Sequence, residues 1–131
     1  MLHPNQFKAN AAWIAFRLND APIVTKTDGD FNVIALMDAA SCFILCSEFV
    51  PAASSEPSEL ESKRLIRGGQ SRNKQLPKTL YISADQVADI LSIEAQRNGI
   101  AVVRVAQEQL AVFIDEAREG FKQHVGGGNV H

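Results

Sequence analysis

Histidine is missing from the interior of this chain: His3, His124 and His131 all lie near its ends. That removes the usual general base and the commonest metal ligand from any site built out of the middle of the sequence. Cysteine is scarce too. Cys42 and Cys46 lie four residues apart in what reads as a strand, and a strand's rise holds such a pair roughly 13 Å apart on one face, too far for a mutual disulfide. They read as small buried hydrophobes in a reducing cytoplasm. No apolar run approaches the length of about 20 residues that a membrane-spanning helix needs. The opening MLHPNQFKAN has no basic region leading into an apolar segment, so no secretory signal is expected. A strong charge bias is absent as well: 13 Lys and Arg against 15 Asp and Glu leave a net charge of -2, with no global pull toward nucleic acid or membrane. No Gly-x-Ser-x-Gly and no Gly-Lys-Ser/Thr occurs, which excludes those nucleophile and phosphate-loop motifs. These features read as a cytoplasmic protein of bacterial style, and 131 residues suffice for one domain with a proper core.

What is present is a clear order of elements. Residues 11–18 (AAWIAFRL) read as a first strand, followed by turn chemistry in NDAP and TKTDGD on either side of a short extended IVT. FNVIALM alternates as a second strand. DAAS then fits a tight turn with Asp38 at its corner, and CFILCSEFV returns as a third strand. From Pro51 the composition turns polar. Residues 51–78 are expected to hold a peripheral, partly solvated helix, with Ser55 as cap and Gly68-Gly69 as stop, and then a mobile basic loop. TLYIS reads as a fourth strand. Ser83 and Gln86 form a capping-box pattern for a helix through ADQVADILSIEAQRN that Gly99 ends. IAVVRV is a fifth strand, and QEQLAVFIDEAREGFKQH an amphipathic helix with Leu110, Phe113, Ile114, Ala117 and Phe121 on its apolar stripe. Strand–helix–strand of this length implies a parallel pair with a right-handed crossover. The expectation is one α/β domain over residues 1–123, a three-stranded antiparallel meander followed by α-β-α-β-α in a mixed sheet, with a frayed tail at 124–131. Glu94 and Arg104 are placed for a partly buried structural ion pair.

This order, with LMDAAS at the second-strand corner, LYISADQ at a strand end and IDEAREGFK in the last helix, resembles the ribonuclease H-like fold of integrase and transposase cores. The resemblance covers most of the chain from Trp13 to Gln123 and rests on element order more than on a tight motif. It implies a metal-binding carboxylate at Asp85 on the strand end and another at Glu116 on the last helix, with Asp38 a further candidate. The family's first carboxylate stands midway along the first strand, where this chain has Ala15, Phe16 and Arg17. None of these can hold Mg²⁺, and two-metal phosphoryl chemistry needs carboxylates converging from several elements. No metal or other cofactor is therefore expected. Each carboxylate also has a plain structural role open to it: Asp38 at a turn corner, Asp85 in a helix's first turn where the dipole favours a negative charge, and Glu116 on a solvated helix flank.

One local bias stands out. Lys63, Arg64, Arg67, Arg72, Lys74 and Lys78 fall in a stretch with no acid between Ser62 and Ala84. Arg64, Arg67, Arg72 and Lys74 are the candidate phosphate or polyanion contacts, against the plainer reading of a segment charged for solubility. The third strand, outermost in a ribonuclease H-like order, offers an apolar edge that invites pairing with a second copy. The functional expectation is a non-catalytic binding or interaction module, possible homodimerisation included; the alternative is a nucleic-acid-binding or divergent nuclease-like protein that uses residues 63–78.

Overall fold

The computed structural model describes residues 1–27 and 29–128, with side chains described as far as Gln123. In chain order the elements are β1 (Ala12–Arg17), β2 (Phe31–Asp38), β3 (Ile44–Pro51), α1 (Glu59–Asn73), β4 (Thr79–Ser83), α2 (Asp89–Arg97), β5 (Ala101–Val105) and α3 (Ala111–Gly128). They build a five-stranded sheet in the order β3-β2-β1-β4-β5. The β1–β2 and β2–β3 pairs are antiparallel, and β1–β4 and β4–β5 are parallel. TLYIS and IAVVRV thus share one sheet through the α2 crossover, as expected.

Helices on both faces explain why the central strands read as nearly continuous apolar runs. Trp13, Ala15, Ile34, Leu36, Leu80 and Ile82 pack under α1 and α2. Ala12, Ile14, Phe16, Val33, Ala35 and Met37 face the side covered by Leu110, Phe113 and Ile114. Each large apolar side chain buried in these layers contributes about 1.5–3 kcal/mol.

The segment after β3 departs from the sequence expectation. Its helix is capped by Ser58, not Ser55: Ser58 Oγ accepts the Glu61 N–H at 3.1 Å, and the Glu61 carboxylate accepts the Ser58 N–H at 2.8 Å. Gly68 and Gly69 do not stop it; α1 runs on to Asn73, and Lys74 in the left-handed region ends it. The glycines serve close packing instead. A Cβ at position 69 would come within 2.6 Å of the Trp13 ring, and one at 68 within 3.0 Å of Cys46. Nor is α1 peripheral, since Ser62, Leu65, Ile66 and Gly69 are buried. Of the basic residues expected on the loop, Arg72 lies in α1, Lys74 ends it, and Lys78 stands between α1 and β4.

The capping box at Ser83 is also corrected. Ser83 Oγ donates to the Asp85 carboxylate, and α2 begins only at Asp89, after Ala88, whose side chain offers no cap. The cap comes from a distant segment: Glu56 accepts the Ile90 N–H at 2.7 Å. Glu94 and Arg104 do not pair. Glu94 meets Arg97 at 3.5 Å and Asn98 at 3.2 Å, whereas Arg104 donates to the carbonyls of Ser83 (2.8 Å) and Gln86 (2.6 Å) and approaches Asp89 at 3.7 Å. Of the expected tail, 124–128 continues α3, and 129–131 lies outside the described residues. No helix among the described residues is long and apolar enough to cross a membrane.

Candidate functional site

The three carboxylates named from sequence fall at different places. Asp38 is the last residue of β2 and is buried. One carboxylate oxygen accepts the Asn10 N–H at 2.9 Å; the other accepts the Ser41 N–H at 3.2 Å and its hydroxyl at 2.7 Å. The Cys42 N–H donates to the Asp38 carbonyl at 2.8 Å, and Cys42 takes a positive φ of 62° to close the corner. Asn10, itself left-handed at φ 58°, extends the network: its Oδ1 receives Trp13 Nε1 and Asn73 Nδ2, each at 2.6 Å, and its Nδ2 donates to the Gln75 carbonyl at 3.2 Å. Asp38 therefore ties the lead-in, the β2–β3 corner and the end of α1 together, with its oxygens occupied.

Asp85 stands at the other end of the sheet. Asp38 pairs with Trp13 at the start of β1, whereas Asp85 follows β4, whose Ile82 pairs with Ala15. At strand rise, Trp13 to Arg17 alone spans about 13 Å, beyond the reach of one shared cation. Glu116 does not line the cleft at the Asp85 end. Its charge is felt instead, with that of Asp38, at the corner: burial foremost, then Glu116 and Asp38, pushes the Cys42 thiol above its usual pKa. Among the described residues no group of three or more His, Cys, Asp or Glu side chains is arranged to hold a metal ion.

The feature that does occupy the strand ends is a cleft of about 290 Å³. Its floor is apolar, made by Phe16, Ile34, Val50 and Ile114. Its rim joins Arg17 at the end of β1, Ser54 and Ser55 from the β3–α1 loop, Asp85 after β4, and Arg118 from α3. This is the end of a mixed sheet where β1 has an antiparallel neighbour on one side and a parallel one on the other, the kind of switch point at which α/β folds open crevices. Arg118 Nε donates to the Arg17 carbonyl at 2.9 Å, which sets the Arg118 side chain against the end of β1. Arg17 donates to the Asp20 carbonyl at 3.2 Å. Neither guanidinium lies in an ion pair among the described residues. The two carboxylates lining the cleft are already engaged, Glu56 by the Ile90 N–H and Asp85 by the Ser83 hydroxyl.

From sequence, Arg17 figures only as a residue unable to hold Mg²⁺, and Arg118 is not among the stripe residues of the last helix. A signal existed: Arg118 lies one turn beyond the stripe residue Ile114 and so at the stripe's border. What sequence could not supply was the meeting of residues 101 positions apart.

The basic segment lies elsewhere. Arg64 pairs with Glu48 at 3.1 Å and Lys63 with Glu59 at 3.2 Å. Arg67, Arg72 and Lys74 are exposed and take part in no ion pair among the described residues. Arg72 and Lys74 stand at the Asn10 end of α1, away from the cleft. The third strand is outermost, as expected; Phe43 just before it and Phe49 within it are 73% and 65% exposed. Cys46, packed against α1, donates its thiol to the Leu65 carbonyl at 3.2 Å. Burial, with Glu48 adding to it, raises that thiol's pKa to about 11.

No protein-family model and no curated protein matches the chain in sequence. Solved structures do match it in shape. The catalytic core domain of BIV integrase superimposes with a TM-score of 0.60 at 12% identity, covering 90% of this chain and 70% of that one. A chain of the simian T-cell lymphotropic virus intasome, in complex with PP2A regulatory subunit B56 gamma, gives a TM-score of 0.55 at 10% identity, covering 99% of this chain and 45% of the other. The fold is ribonuclease H-like, that of the retroviral integrase catalytic core. Identities this low establish the fold alone.

Proposed function

We propose that the chain is a non-catalytic binding module on a ribonuclease H-like fold, with its ligand site at the strand-end cleft. One observation carries this reading: Arg17 and Arg118 both line the strand-end cleft, while Asp38 is spent at the opposite end of the sheet and Glu116 does not line the cleft. The free N–H donors of the two guanidiniums suit an anion, while Glu56 and Asp85, the carboxylates that line the cleft, belong to no group of three or more ligands arranged to hold a metal among the described residues. The test is to incubate the protein with single- and double-stranded DNA and RNA in Mg²⁺ or Mn²⁺. No cleavage above the protein-free control is expected; cleavage abolished by Asp85→Ala would overturn the reading.

A second reading, nucleic-acid binding through α1, is favoured by the exposed and unpaired state of Arg67, Arg72 and Lys74. It requires affinity that falls steeply with salt and that weakens in an Arg67→Gln/Arg72→Gln variant. Salt-independent or undetectable binding would end it. Self-association through β3 is a separate proposal, supported by the exposed Phe43 and Phe49 and tested by light scattering on a concentration series.

A further inference from the structure

We propose that the cleft takes a small organic oxyanion, a phosphomonoester or carboxylate whose charged group sits between Arg17 and Arg118 and whose body rests on the apolar floor. This deepens the binding-module reading and rests on it. Two arginines with unused donors line the cleft. Arg118 uses Nε on the Arg17 carbonyl, and Arg17 uses one terminal nitrogen on the Asp20 carbonyl. Each guanidinium keeps further N–H donors in a planar fork suited to a carboxylate or phosphate. Glu56 and Asp85 also line the cleft and keep their charges, but each already accepts from a neutral donor, so the free charged N–H donors facing a ligand are those of Arg17 and Arg118.

The shape of the cleft favours an organic anion. About 290 Å³ lies at the small end of ligand clefts and suits a molecule the size of a substituted aromatic ring. Phe16, Ile34, Val50 and Ile114 form a floor that an inorganic anion would leave uncovered. The Ser54 and Ser55 hydroxyls and the Asn32 amide stand on the rim as uncharged donors for the remaining oxygens. The cleft opens at the sheet end remote from Arg72 and Lys74, so binding there is separable from any binding on α1.

Titration of the full chain with phenyl phosphate, benzoate and inorganic phosphate, followed by backbone-amide NMR, tests the proposal. Saturable binding of phenyl phosphate, benzoate or both is expected, with shifts centred on Arg17, Asn32, Ser54, Ser55 and Arg118; which of the two binds identifies the anion. Arg17→Gln and Arg118→Gln should each weaken binding about tenfold, a loss typical of one charged contact, while Arg72→Gln leaves it unchanged. Arg17 is exposed, so Arg17→Gln keeps the test valid should Arg118→Gln fail to fold. Shifts centred on residues 67–74, wild-type affinity in Arg17→Gln, no binding at millimolar ligand, or equal affinity for inorganic phosphate would each overturn the proposal. Failure here leaves the non-catalytic reading standing, because metal-dependent cleavage is scored independently.

Discussion

Substituting Gly69 by alanine tests how α1 is seated. In an unconstrained helix this change stabilises by up to about 1 kcal/mol, because glycine loses more backbone entropy on folding than alanine. Here the new Cβ would stand 2.6 and 2.7 Å from two carbons of the Trp13 ring and 3.2 Å from a third. The ring cannot swing aside, being fully buried and held by its Nε1–H bond to Asn10 at 2.6 Å. Overpacking of that kind costs about 1–3 kcal/mol. The clash outweighs the helix gain, giving a net loss of about 1–2 kcal/mol and a fall in Tm of roughly 3–10 °C. Gly120→Ala on α3 is the internal control: nothing lies within 4 Å of its Cβ position, so it should gain about 0.4–1 kcal/mol. Urea denaturation with matched m-values measures both. A Gly69→Ala protein as stable as wild type, or more so, would refute the seating of α1 on Trp13.

Other consequences follow from buried polar atoms. Ser62 Oγ is buried with no hydrogen-bond partner among the described residues, so Ser62→Ala should stabilise by about 1 kcal/mol in the same denaturation assay. Asn10→Ala strands the Trp13 Nε1–H and puts alanine at φ 58°, for a loss of about 2–4 kcal/mol. Cys46 has its folded-state pKa raised, so the neutral thiol is favoured by folding. The resulting stability is complete below the unfolded value and declines as pH rises from 9.0 toward about 11. Denaturation midpoints across that window should fall in wild type and fall less in Cys46→Ala, and a flat wild-type profile would contradict the burial.

The strands were legible because both faces of the sheet are covered, which leaves runs such as AWIAF and VIALM in the sequence. The Asp38 corner was legible from its turn residues. Helix boundaries were less so, and each error has a physical cause. Gly68-Gly69 reads as a stop because glycine usually ends helices; here it admits a tryptophan ring. Ser83 and Gln86 read as a capping box, yet the donor that α2 offers is taken by Glu56, which is 34 residues away from Ile90. The cleft was illegible for the same reason: Arg17 and Arg118 become neighbours only when α3 crosses the end of β1.

The strand-end cleft presents arginine donors and, among the described residues, no carboxylate cluster arranged to hold a metal ion. Mn²⁺-induced line broadening in the amide NMR spectrum reads this directly. No selective broadening is expected at residues 15–18 or 83–87 at low millimolar Mn²⁺. Selective broadening there, removed by Asp85→Asn, would contradict it.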